Sequence, residues 1–317
     1  MGRARFSAGF TLVEMVTVIV IGGILAAVAW RNISQPITGF EDSTRRAQLV
    51  DVAESALHRM TSEIRLAAPN SVRLTSNGVT FLSTCTASAG TPCAIEILRT
   101  VSGGRYRAQA DSTNNDVCAS GDGDTLNFNV AADCFEVLGP PTTFSFGTIT
   151  PGGAGATQAN CLSNALTANC LVIYNTGQSG ANAYAGDDIA VVTAATPVTA
   201  PTSVSFNIAP KTKFPTGSPS QRFDIVDTPV SFVCDVSTNQ INRYDAYPIA
   251  ATHAMPPGGA AKLLANQVTA CRFDYTAGTA TRAGLVTISL TVGDPSATSG
   301  GAMQVTLLDQ AHVLNVP

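Results

Sequence analysis

One stretch constrains this chain more than any other: residues 10–30, FTLVEMVTVIVIGGILAAVAW, a run of 21 mostly apolar residues broken by a single charge, Glu14. About 20 apolar residues suffice to cross a bilayer as a helix. A carboxylate inside such a run costs about 2.5 to 3.5 kcal/mol on insertion scales, so it marks a function and calls for a partner. Glu14 stands five residues after Gly9, and that spacing points to the partner: an amine freed by cleavage after Gly9 on a neighbouring copy or related subunit. An ordinary secretory signal is cut behind its apolar region at small residues. Here no A-x-A pattern closes the run, and Trp30 with Arg31 reads as an interfacial anchor at the outer membrane face.

The basic leader (Arg3, Arg5), Gly9 before the cut, then Phe10 and Glu14 together resemble a class III prepilin signal of the type IV prepilin superfamily. That resemblance implies a prepilin peptidase cutting between Gly9 and Phe10 on the cytoplasmic side. It also implies N-methylation of Phe10 and an apolar helix kept as the core of a filament. The expected organisation is a leader over 1–9, a transmembrane and filament-core helix over 10–30, an amphipathic continuation over 31–69 and a globular domain over 70–317. One departure from many major pilins is the absence of a late proline in the membrane helix, where Val28, Ala29, Trp30 and Arg31 stand.

In the continuation, Pro36 and Gly39 predict a kink or short break near 34–40. From there Phe40, Ala47, Val50, Ala53, Leu57, Met60 and Ile64 form one apolar stripe, with Phe40 and Met60 read as core residues. Glu41–Arg45, Asp42–Arg46 and Arg59–Glu63 lie four apart on the outer face with the acid or base placed to pair, and Pro69-Asn70 ends the helix. Beyond residue 70 the pattern turns to short strands: 71–74, 79–82, 94–100, 170–174, 189–193, 204–208, 223–226, 230–236, 272–275, 285–292 and 303–314. The last two, joined by a Gly-rich turn over 294–301, read as a C-terminal hairpin. Residues 139–160 and 175–188 read as long surface loops, and about 100–200 as a variable insertion. The expected fold class is α+β and type IV pilin-like: a long N-terminal helix, half membrane and half amphipathic, packed on a large antiparallel β-rich domain.

Only 13% of residues are charged, lysine occurs only at Lys211, Lys213 and Lys262, and the net charge of −4 becomes −6 once Arg3 and Arg5 leave. No basic stripe forms, which argues against a nucleic-acid partner. All eight cysteines, Cys85, Cys93, Cys118, Cys134, Cys161, Cys170, Cys234 and Cys271, follow the membrane segment. An even count in an exported domain reads as a disulfide framework, and the absence of C-x-x-C spacing weighs against a metal. We expect sequential neighbours to pair: Cys85–Cys93, Cys118–Cys134, Cys161–Cys170 and Cys234–Cys271.

The sequence offers no enzyme signature: no H-E-x-x-H, G-x-S-x-G, P-loop or G-x-G-x-x-G occurs, and the nearest miss, Gly177-Gln178-Ser179-Gly180, reads as a turn. His58 is expected to pair with Glu54, while His253 and His312 fall in a Pro/Gly-rich loop and the last strand. Asp116 with Asp122-Gly123-Asp124, and Asp187-Asp188, are weak calcium candidates; neither has a complete calcium-loop order, and turns use the same residues. No cofactor is expected.

The segments SFVCDVSTNQINRYDAY, LLANQVTACRFDY, AGLVTISLTV and LLDQAHVLNVP resemble minor pilins of the mannose-sensitive haemagglutinin (MSHA) type, and more distantly the J-type pseudopilin of type II secretion. The resemblance implies a minor pilin that primes filament assembly, sits at or near the tip and contributes to adhesion. Its partners would be other minor and major pilins and an inner-membrane assembly platform. The chain would be held in the inner membrane with its domain in the periplasm before joining a surface pilus. The alternatives are a minor pseudopilin of a type II secretion system and a ligand-binding tip adhesin.

Overall fold

The computed structural model describes residues 11–110, 118, 124–126, 128, 132–138, 149–163, 167–197, 204–212, 214–279, 282–293 and 303–314. The chain divides into two compact units, Met1–Leu49 and Val50–Pro317.

Helix α1 (Leu12–Ile64) runs through Pro36 and Gly39 without the expected break in helical assignment. Proline removes one donor from the ladder, and the long helical runs on either side sustain the helix across it. Of the expected stripe, Ala53, Leu57, Met60 and Ile64 are buried, whereas Ala47 is exposed and Phe40 is 75% exposed, so Phe40 is not a core residue of this chain. Glu63 departs from its assigned outer face. It is buried, and besides Arg59 it holds Arg243 of the sheet. No ion pair joins Glu41 to Arg45 or Asp42 to Arg46; all four are exposed, where such pairs contribute little. The helix ends at Ile64, four residues before Ala68, because the backbone of 66–68 is taken up by a strand: Ala68 N–H donates to Leu98 O and Leu66 O accepts from Thr100 N–H.

The strands are β1 (Arg73–Thr75), β2 (Thr84–Thr86), β3 (Cys93–Tyr106), β4 (Ala132–Leu138), β5 (Cys170–Val172), β6 (Ile189–Pro197), β7 (Val204–Thr212), β8 (Arg222–Asp235), β9 (Gln240–Tyr244), β10 (Lys262–Ala265), β11 (Val268–Thr276), β12 (Gly284–Gly293) and β13 (Gln304–Val313), with a short helix α2 (Gln158–Ser163) before β5. All pairings are antiparallel. The chain is thus α+β, an N-terminal apolar helix followed by a large antiparallel β-rich domain.

In the larger sheet, six strands close a circuit: β3 pairs β4, then β7, β6, β5 and β8 follow, and β8 returns to β3. Successive strand residues point to opposite faces, and the alternation sorts cleanly. Phe135, Val137, Leu171, Ile173, Phe223 and Ile225 meet in one core, where the Phe135 and Phe223 rings stand edge to face at 5.6 Å. Cys170, Val172, Ile189, Val191 and Val226 face the other way, under Ala183 and Tyr184. Closure removes exposed strand edges. Residues 100–200 are therefore not a peripheral insertion, since they supply β4, β5 and β6 of this circuit and the end of β3. Nor is 175–188 a plain surface loop: its turn Ala183–Ala185 is capped by Asn182 and buries Ala183 and Tyr184. Residues 139–148 lie outside the described residues, and α2 begins near the end of the 139–160 stretch.

The runs 223–226 and 230–236 form one strand through Pro229, which stands opposite Leu98. Proline is tolerated because both backbone polar groups of Leu98 are engaged away from β8, its carbonyl by Ala68 N–H. On its other side, β8 pairs β5 up to Val226 and β9 only from Ser231, so no neighbour there asks for the missing donor. Residues 79–82 form a turn, with one bridge between Leu82 and Leu74, in place of the expected strand. The C-terminal hairpin appears as expected: β12 and β13 pair from Gly284↔Val313 to Gly293↔Gln304. Its inner face reaches α1, where the Thr61 hydroxyl donates to Asp309 Oδ2 at 3.1 Å.

Four disulfides join Cys85–Cys93, Cys118–Cys134, Cys161–Cys170 and Cys234–Cys271, with Cα separations of 5.8, 5.7, 5.5 and 6.6 Å. The first and last tie β2 and β11 of the four-stranded sheet to β3 and β8 of the larger one. Between them, a buried polar network fixes the segment 245–258. Arg73 pairs with Glu96, donates to the carbonyls of Ala250 and Ala251, and stacks 3.6 Å from the Tyr184 ring centroid. The Tyr247 hydroxyl donates to Glu96 at 2.8 Å. Burial pushes the Glu96 carboxyl up, partly offset by Arg73.

The turn at Gly78 docks on the same segment, its carbonyl accepting from His253 N–H at 2.8 Å. Gly78 has φ +78°, and a Cβ there would lie 1.9 Å from the His253 carbonyl oxygen. Gly78→Ala combines a positive φ with a backbone clash, and strain of this type costs about 1 to 3 kcal/mol. Thermal unfolding should show a midpoint lowered by at least about 2 °C; an unchanged midpoint would show that the turn is not pinned.

Candidate functional site

The apolar segment begins at Thr11, whose hydroxyl oxygen accepts from Glu14 N–H at 3.3 Å while its carbonyl accepts from Met15 N–H at 3.2 Å. Thr11 is thus the N-cap and Glu14 the third helical residue, the T-x-x-E order of a capping box. Sequence reasoning missed this local role, although the spacing was there to read. A carboxylate at this position also meets the partial positive charge of the helix N-terminus. Local structure therefore orients Glu14 without neutralising it: among the described residues its side chain has no ion-pair partner in its own chain.

Leu12–Arg31 is long and apolar enough to cross a membrane, and none of it is buried within the chain. Leu12 is 81% and Trp30 78% exposed. A helix apolar on all sides and uncovered by its own chain is suited to lipid or to other subunits around it. Gly9 and Phe10 lie outside the described residues.

The remaining candidates do not converge. His58 and Glu54 are both exposed with no ion pair between them, and His312 is exposed on β13. His253 is buried, and its Nε2 lies 2.9 Å from the hydroxyl of Ser231, a contact between distant segments that no sequence pattern announced. Burial and the Arg73 charge lower the His253 pKa to about 4, so the ring is neutral at pH 7. Ser231 is completely buried and Nδ1 of the ring has no partner, so this pair has neither substrate access nor an orienting acid.

Of the acidic candidates, Asp116 and Asp122 lie outside the described residues. Asp124 is buried and accepts from Cys118 N–H at 2.7 Å, a turn-forming contact. Asp187 accepts from Gly180 N–H at 3.0 Å. Among the described residues, no three His, Cys, Asp or Glu side chains are grouped to hold a metal ion. Asp188 is fully buried, and neither carboxylate oxygen has a hydrogen-bond partner. Burial raises its pKa to about 7.

Residues 5–30 match the family model of the prokaryotic N-terminal methylation motif. No curated protein and no solved structure matches the chain. The motif supports a type IV pilin-like or pseudopilin-like protein, processed by a prepilin peptidase in a pilin assembly context, and the apolar helix is compatible with membrane anchoring.

In the folded chain Asp188 keeps its proton up to a pH of about 7, whereas an unfolded aspartate loses it near 3.8. Its contribution is thus present at low pH and lost as pH rises through 7. Asp188→Asn should raise the unfolding midpoint at pH 8, with the gain shrinking towards pH 4. Denaturation at both values checks this. Should calcium raise the wild-type midpoint at pH 8 but not that of the variant, Asp188 would be a cation ligand instead.

Proposed function

We propose that this chain is a minor pilin of a type IV pilus of the MSHA type, MshO-like in kind, that primes filament assembly and sits at or near the tip. One observation carries the reading: a methylation motif over residues 5–30 on a helix whose apolar surface its own chain leaves uncovered, with one carboxylate in its first turn. Cleavage between Gly9 and Phe10 frees an amine, which N-methylation retains as a cation. In a filament core that amine meets Glu14 of an adjacent subunit. Burying the two as a charge-assisted pair offsets much of the cost of burying either alone. The match also selects axial register, because a shifted helix leaves both charges unpaired.

On this reading the chain waits in the inner membrane with residues 31–317 in the periplasm, then joins the other pilins through the assembly platform. The disulfide-stapled domain is the part presented to the surroundings, which supports a contribution to surface adhesion. The same motif supports a second reading, a minor pseudopilin of a type II secretion system. Gene deletion with pili and attachment counted separately distinguishes them: loss of pili supports the pilus reading, and loss of protein secretion with pili intact supports the other. Attachment lost while pili remain would favour a ligand-binding tip adhesin.

Mass spectrometry of protein from cells should find the chain beginning at methylated Phe10. Detection of a chain starting at Met1, or trimmed beyond Trp30, overturns the reading. Glu14→Ala should insert and be processed normally yet enter sheared filaments at least about tenfold less, a discrimination of about 1.4 kcal/mol. Equal incorporation, read by immunoblot of the filament fraction, would rule out the register role.

A further inference from the structure

Away from the apolar segment, a cavity of about 610 Å³ opens between the Val50–Ile64 part of α1 and the β9–β10 hairpin. Arg59, Arg99, Arg243, Asp245 and Lys262 line it. They belong to one alternating ladder. Arg59 pairs with Glu63, Glu63 with Arg243, Arg243 with Asp245, and Asp245 with Lys262 at 2.8 Å. Arg99 is held by both oxygens of Asp227 and lies close enough to feel the charges of Glu63 and Asp245.

Two features separate this ladder from a self-contained set of ion pairs. Among the described residues, the cations Arg59, Arg99, Arg243 and Lys262 pair only with the carboxylates Glu63, Asp227 and Asp245, which leaves one positive charge in excess. The signs are also layered by depth. The Glu63 and Asp245 side chains are 7% and 18% exposed, while Arg59 and Lys262 at the mouth are 59% and 56% exposed. Arg59 engages Glu63 through Nε, and among the described residues its terminal guanidinium nitrogens meet no acceptor. A concave site with positive charge at its mouth, held in place by acids behind it, is pre-organised for an anion. Its volume falls in the range of small-molecule sites, about 300–1,000 Å³.

We propose that this cavity binds a small polar molecule bearing a sulfate, phosphate or carboxylate group, which bridges Arg59 and Lys262 across the mouth. The bound group adds the negative charge that the ladder lacks and displaces only water from Arg59. Arg243 and Arg99, fixed by their own carboxylates, contribute field in place of direct contact. The site stands independently of the assembly reading, because no residue of the apolar segment enters it.

The test is equilibrium dialysis of the full chain in a neutral detergent, with labelled sulfate, phosphate and succinate in separate arms and chloride holding ionic strength constant. At least one arm should saturate at one anion per chain, and the arm that does so identifies the group. In the double variant Arg59→Gln, Lys262→Gln, affinity should fall at least about tenfold, with the far-ultraviolet spectrum unchanged since both side chains are exposed. Arg282→Gln, which removes an exposed cation elsewhere, should leave binding unaltered. The proposal fails if no arm saturates, if the double variant binds as the wild type does, or if Arg282→Gln weakens binding equally.

Discussion

The antiparallel ladder between β3 and β8 is the constraint on which the domain depends. It runs from Cys93↔Cys234 to Arg105↔Arg222, and every other layer is attached to one of these two strands. At one end it closes the six-stranded circuit through β4 and β5; at the other it carries β1 and β9 and, through two disulfides, the four-stranded sheet. The helix terminus is fixed by it as well, since Leu98 and Thr100 take up the backbone groups of Ala68 and Leu66. Strands so far apart in sequence pair only after a large loss of chain entropy. The local disulfides and the buried Arg73–Glu96–Tyr247 network hold the result together.

The N-terminal segment follows the opposite logic. The domain buries an apolar core of its own, whereas Leu12–Arg31 satisfies its backbone alone and leaves its side chains to be covered by something else. Glu14 is held in the first helical turn by the Thr11 cap, so its carboxylate is presented at a fixed height along the helix. A charge inside an apolar segment marks a function, and this joins the geometry to the methylation motif.

What was legible in the sequence was whatever depends on short-range pattern. Alternation from Val286 to Val292 gave its strand and face, and neighbouring cysteines gave the pairs that the structure forms. What was not legible depends on partners remote in the chain. Pro229 reads as a strand breaker until Leu98 is known to point its polar groups elsewhere. Glu63 reads as a solvent-facing member of an i,i+4 pair until Arg243, 180 residues away, is placed against it. The middle third, poor in charge and rich in Gly and Thr, looks like loop because its strands are buried on one face by other strands of equally bland composition. The short strands β2, β9 and β10 lack any pattern long enough to register.

The register of the central ladder also sets a chemical problem for the maturing chain. Cys93 and Cys234 stand directly opposite each other, yet each is bonded to a different cysteine in the second sheet. A thiol facing a thiol across paired strands is an open invitation to the wrong bridge. Nearness along the chain favours the right one, since Cys85 and Cys93 are 8 residues apart and Cys234 and Cys271 are 37 apart, and shorter loops cost less to close. Each early cysteine that takes its near neighbour leaves Cys234 and Cys271 to each other.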